Sequence, residues 1–160
     1  MESTRSPAIV VGVDGTAAGN AALEFAIREG AARGCAVEVV TVWNWFGPHE
    51  SLAGPVTAHE ARDRAQRTQN ESVAQVLRTV PAAPVVSRQV IQGDPGDVLL
   101  YCSRSAAYLV VGTEHKGMLK RAVLGSVSEH CVRHATCPVV VVPASYEQAF
   151  EPPLTAEAAG

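Results

Sequence analysis

Apolar residues follow two rhythms along this chain, short continuous runs and longer stretches spaced three or four residues apart, and the two alternate. Ala8 to Val13, Ala36 to Trp43, Tyr108 to Val111 and Val139 to Val142 are of the first kind, as expected of parallel strands covered on both faces. Val85 to Ile91 alternates apolar with polar residues and suits a strand nearer a sheet edge. Helical spacing fills the intervals. From Ala17 to Arg33, Ala22, Leu23, Phe25, Ala26 and Ile27 form a wide apolar face, and Gly34 is placed to close the helix. A long polar helix from Ala58 to about Thr79 buries one narrow stripe through Ala61, Ala65, Val73, Val76 and Leu77, leaving its Arg- and Gln-rich face to solvent. Asp94 as N-cap and Pro95 in the first turn start a third helix that ends near Ser105, and a fourth runs from Ser126 to about Ala135.

Five strands alternating with four helices predict an α/β fold: a five-stranded parallel sheet with helices on both faces, because parallel neighbours need right-handed crossovers. Ligands in such sheets bind beyond the carboxyl ends of the strands, where the strand order reverses. In the order 3-2-1-4-5 that point lies between the first and fourth strands, beside Asp14 and Gly112. The Gly- and Pro-containing segment from Asn44 to Thr57 is long for a connection in a compact domain, where loops above about 12–15 residues are commonly functional, and it is placed to lie over such a site.

Composition narrows this picture only a little. A length of 160 residues, 47% hydrophobic and 18% charged, suits a single domain over residues 1–143, followed by a flexible tail over 144–160 containing Pro152 and Pro153. A net charge of −3 excludes a global basic field, so nucleic acid is not an expected partner and any anion site must be local. No apolar run approaches the ~18–20 residues of a membrane span, and the polar start Met-Glu-Ser-Thr-Arg-Ser-Pro lacks a signal-type apolar core, which points to the cytoplasm. Cys35, Cys102, Cys131 and Cys137 form no C-x2-C pair and read as buried free thiols.

The candidate chemistry concentrates between Val110 and Glu129. An apolar strand ends at Gly112, a loop carries Lys116, Lys120 and Arg121, and Gly125-Ser126 opens a helix whose first N–H groups have no intrahelical partner. Gly112, Gly125 and Ser126 suit contact with a phosphate; equally, Ser126-x-x-Glu129 is a capping-box pattern in which Ser126 caps its own helix. Asp14 either meets a ribose hydroxyl or a phosphate-bound metal, or simply forms a turn. Trp43 or Trp45 either stacks on a base or packs at the core edge. His130 and His134 stand one helical turn apart without an evident third metal ligand. No H-E-x-x-H, no G-x-S-x-G and no carboxylate cluster supports catalysis.

Taken together, Val11-Gly12-Val13-Asp14-Gly15-Thr16, Gly93-Asp94-Pro95, Leu109-Val110-Val111-Gly112, Gly125-Ser126-Val127-Ser128 and Cys137-Pro138-Val139-Val140-Val141-Val142 resemble the universal stress protein family, over about Ile9 to Pro143. The resemblance implies a Rossmann-like domain that dimerises through its last strand and serves stress or metabolic-arrest responses. Its ATP-binding members carry G-x2-G-x9-G-[ST]. Gly112, Gly125 and Ser126 occupy the first, third and fourth of those positions, and His115 stands at the second.

By that resemblance Asp14, Val42, Val111, Gly112, His115, Gly117, Gly125, Ser126, Val127 and Ser128 line a pocket for an adenine nucleotide, ATP with or without Mg, hydrolysed slowly at most. The alternative within the family is a dimeric interaction module that binds no ATP. A flavodoxin-like carrier or a nucleotide-activating enzyme is disfavoured because no Ser/Thr-rich phosphate loop follows the first strand.

Overall fold

The computed structural model describes residues 7–45, 47, 56–114 and 124–146. Its strands β1 (Ile9–Gly12), β2 (Val37–Trp43), β3 (Val86–Gln92), β4 (Tyr108–Thr113) and β5 (Val139–Pro143) are all parallel and stand in the expected order β3-β2-β1-β4-β5. Helices α1 (Ala17–Arg33), α2 (Ala58–Leu77), α3 (Pro95–Cys102) and α4 (Ser126–His134) make the crossovers.

The period of two along each strand divides the core. Ile9, Val11, Val37, Val39, Val110 and Val142 pack beneath α1 and α2, while Val10, Val40, Leu109 and Val111 pack against Leu99 of α3 and Cys131 of α4. In α1 the side chains of Ala22, Leu23, Ala26 and Ile27 are fully buried. Each large one stabilises the fold by roughly 1.5–3 kcal/mol through the apolar surface it removes from water. As its alternating pattern predicts, β3 lies at a sheet edge, with Ser87, Arg88 and Gln89 exposed.

The helix starts follow from local chemistry. Thr16 caps α1 by accepting from the Gly19 N–H, and Asp94 caps α3 by accepting from the Asp97 N–H. At α2, Thr57 and Glu60 form a reciprocal capping box. The bond from the Thr57 backbone N–H, then that from its hydroxyl, hold the Glu60 carboxyl below the usual range. Gly34 ends α1 in the left-handed conformation, φ 67°.

Three boundaries differ from the pattern by two or more residues. Helix α2 stops at Leu77 rather than Thr79, and α3 stops at Cys102 rather than near Ser105. Strand β4 runs on to Thr113 because β5 pairs with it to the end, Gly112 with Val142 and Thr113 with Pro143. Beyond Pro143 the chain turns, and the Tyr146 ring meets Phe25 of α1 edge-on at 5.9 Å. The rest of the expected tail, 147–160, and most of the Asn44–Thr57 connection lie outside the described residues. Among the described residues no helix is long and apolar enough to cross a membrane.

Candidate functional site

A cavity of about 580 Å³ opens beyond the carboxyl ends of β1 and β4, at the reversal of strand order. Eight of the ten expected site residues line it: Asp14, Val42, Val111, Gly112, Gly125, Ser126, Val127 and Ser128. The other two, His115 and Gly117, lie outside the described residues, as do Lys116, Lys120 and Arg121. The wall also includes residues that sequence reasoning missed. Thr16, Ala18 and Gly19 come from the start of α1, Pro95 and Leu99 from α3, and Thr113 and Glu114 from the end of β4. Strand alternation alone was enough to find Val40, which shares its face with Val42; nothing local marks α3 as a wall.

The turn after β1 is a chain of hydrogen bonds. The Gly19 N–H donates to the Thr16 hydroxyl at 3.1 Å, and that hydroxyl donates to Asp14 Oδ1 at 2.6 Å. The Thr16 N–H reaches the same oxygen at 3.0 Å. Asp14 is therefore a turn former, with one carboxylate oxygen taken up by Thr16, and it also faces the cavity. Gly15 beside it has φ 82°, and a β-carbon there would lie 2.5 Å from the Thr68 methyl.

Gly112 and Gly125 serve different ends. A β-carbon on Gly112 would sit 2.3 Å from the Ala18 carbonyl oxygen and 2.9 Å from the Gly19 nitrogen, so this glycine lets the first turn of α1 lie against β4. At Gly125 the nearest atom to such a carbon is Ser128 Oγ, at an ordinary 3.7 Å, and φ is −66°. Among the described residues there is room for a methyl group at Gly125.

The capping-box expectation for Ser126 is overturned. Gly125 takes the N-cap in extended geometry, and Ser126 is already the first helical residue, so its hydroxyl cannot reach back as a cap. Glu129, the other half of the pattern, pairs with Arg133 at 2.9 Å instead. Ser128, almost fully buried, donates to the Gly125 carbonyl at 3.0 Å. Among the four helices of the described residues α4 alone lacks a side-chain cap, and its start faces the cavity with the partial positive charge of the helix dipole.

Around this centre the remaining candidates fall into place. Neither tryptophan lines the cavity; the Trp45 indole N–H donates to the Val56 carbonyl at 2.7 Å. His130 bonds Asp97 of α3 at 3.0 Å and lies against His134. Among the described residues no group of three or more His, Cys, Asp or Glu side chains is placed to hold a metal ion. All four cysteines are free, but only Cys131 is fully buried, the other three being half-buried. Burial pushes the Cys131 thiol up to about 11, with Asp94 and Cys137 adding to the shift, so it stays protonated at neutral pH.

Three comparisons bear on this architecture. The family model described as the Universal stress protein family matches residues 7–143. Universal stress protein Mb2019 of Mycobacterium bovis is 31% identical over 150 residues, covering 84% of this chain and 47% of that protein. The chain thus spans about half the length of the curated relatives it matches. Among solved structures, a universal stress protein in complex with cAMP has a TM-score of 0.60 at 21% identity, over 89% of this chain and 100% of that one. The universal stress protein of Archaeoglobus fulgidus in complex with dAMP has a TM-score of 0.62 at 19% identity, over 87% of this chain and 99% of that one. With a family model spanning nearly all the described fold and relatives above 30% identity, the chain belongs to the universal stress protein family.

Proposed function

We propose that this chain binds an adenine nucleotide, ATP with or without Mg, in the cavity between β1 and β4, and that it acts as a regulatory stress-response protein without efficient turnover. The observation that carries the reading is the start of α4, the one helix here without a side-chain cap, opening on a cavity of about 580 Å³. Its N–H groups from Ser126 to Ser128 and the Ser126 hydroxyl are donors suited to phosphate oxygens. Val42 and Val111 offer an apolar wall to a base, and Asp14 keeps one carboxylate oxygen for a ribose hydroxyl or base amine. The cAMP and dAMP in the two relatives share an adenine, a sugar and a phosphate. His115 and Gly117 enter the proposed site on the family pattern alone.

Dimerisation through β5 and a cytoplasmic location belong to the same proposal. Strand β5 ends the sheet, and pairing with a second copy is one way to cover such an edge.

One observation favours the alternative of a dimeric interaction module that binds no ATP. The contact between Gly112 and Ala18 accounts for the first motif glycine without any ligand. Thermal unfolding with millimolar Mg-ATP, AMP or cyclic AMP separates the two readings. Ligand at 100 times its dissociation constant adds about 2.7 kcal/mol, a rise of several degrees for a domain this size. No shift with any of the three rejects nucleotide binding.

A further inference from the structure

We propose that Gln69 and Thr41 are positioning residues for the nucleotide cavity, holding the Val13–Asp14 peptide from the α2 face of the sheet; this inference rests on the nucleotide reading above.

Gln69 of α2 is wholly inaccessible to solvent, although most glutamines are exposed. Its Nε2 lies 2.8 Å from the Gln89 carbonyl, 3.2 Å from the Val39 carbonyl and 3.1 Å from the Thr41 hydroxyl. Three acceptors around one terminal atom identify it as the nitrogen. The other end of the amide, Oε1, is buried with no hydrogen-bond partner among the described residues. A leucine of similar size would lose those bonds but also avoid the unsatisfied oxygen, so the two effects offset in fold stability.

The amide has a directional consequence. Because Thr41 Oγ1 accepts from Gln69, its own proton is aimed at the Val13 carbonyl, 2.8 Å away. Bonds in such a relay polarise one another in a buried setting. The trans peptide is planar, with its C=O and N–H antiparallel, so a Val13 oxygen held by Thr41 also fixes the direction of the Asp14 N–H. Val13 and Asp14 both line the cavity. Helix α2 also borders the same turn, since the Thr68 methyl occupies the space a β-carbon on Gly15 would need. No α2 residue lines the cavity, so the contacts of α2 with this turn act on the site indirectly.

The test uses the full chain, with Mg-ATP, AMP and cyclic AMP titrated calorimetrically against Thr41→Val, Thr41→Ser, Gln69→Leu and Val73→Ala. Thr41→Val and Gln69→Leu are expected to weaken the best-bound nucleotide about three- to tenfold, the worth of one hydrogen bond. Gln69→Leu should do so with little change in Tm, and Thr41→Ser should restore wild-type affinity. Val73→Ala, in the α2 core but outside the relay, should lower Tm and leave affinity unchanged well below it. Unchanged affinity in Thr41→Val and Gln69→Leu overturns the inference. If the wild type binds none of the three nucleotides, the nucleotide reading fails separately, and hydrogen exchange at the Asp14 and Thr16 amides then judges the relay. Faster exchange in Thr41→Val supports it, and unchanged rates overturn it.

Discussion

The α-carbon of Gly112 and the carbonyl of Ala18 lie so close that a β-carbon on the glycine would come within 2.3 Å of the Ala18 oxygen. Backbone, unlike the far end of a flexible side chain, cannot move aside without displacing the α1 start. Gly112→Ala should therefore destabilise the protein by about 1–3 kcal/mol, as overpacking in a close-packed interior does. Urea unfolding reads it directly, and a variant as stable as the wild type would show that α1 is not seated by this contact.

Gly125→Ala should behave in the opposite way. With φ at −66° and 3.7 Å of clearance, the methyl group fits, and stability should stay within about 0.5 kcal/mol because the poorer N-cap is offset by a less flexible unfolded chain. Nucleotide affinity should fall about tenfold or more, since the methyl stands where a charged phosphate would meet the α4 N–H groups and such bonds are worth ~1.5–3 kcal/mol. Calorimetric titration alongside a melting curve checks both halves.

Asp14→Asn retains an oxygen that can accept from the Thr16 N–H and hydroxyl, whereas Asp14→Ala removes it. The alanine variant should lose about 1 kcal/mol of stability and the asparagine variant clearly less. Equal losses in denaturant unfolding would mean that the turn does not depend on this acceptor.

His115→Gly should raise affinity for Mg-ATP. His115 occupies the position that is glycine in the family's ATP-binding pattern, and removing its β-carbon permits closer approach of backbone to phosphate. A fall in affinity by titration would instead make the imidazole a ligand contact.

Cys131 makes the fold sensitive to alkali. Its thiol is held protonated, with its pKa raised from the ordinary 9.0 to about 11, chiefly by burial. Between those values the unfolded chain has released the proton and the folded one has kept it, so stability is undiminished below pH 9 and declines as pH rises toward 11, by roughly 2–3 kcal/mol in all. Burial raises Cys102 and Tyr108 too, which adds to the decline in the same sense. Cys131→Ala should show a shallower fall in urea midpoint over that range; an identical slope would clear this thiol of the effect.

Much of the site was legible because its signals are local. Asp94 and Pro95 announce α3, and Gly112, Gly125 and Ser126 stand at the spacing of the family pattern. Reading Ser126 as a cap failed because a capping box requires the serine to precede the helix. Gly125 takes the extended N-cap geometry instead, and α4 begins at Ser126 as its pattern predicts. Pro95, Leu99 and Thr16 were missed as wall residues because their contribution depends on how α3 and α1 cross the sheet ends, which periodicity does not encode.

The amino-acid sequence by itself determined the alternation of strands and helices, and with it a parallel sheet whose ligand crevice opens beyond the carboxyl ends of its strands. Those follow from side-chain period, capping chemistry and the handedness of crossovers, all properties of neighbouring residues. The tertiary structure alone decided that Gly112 yields to Ala18 and that Gln69 turns inward to Thr41 across 28 residues of chain. Such pairings depend on the approach of one backbone or buried side chain to another far along the chain, and only the packed sheet and helices set those distances.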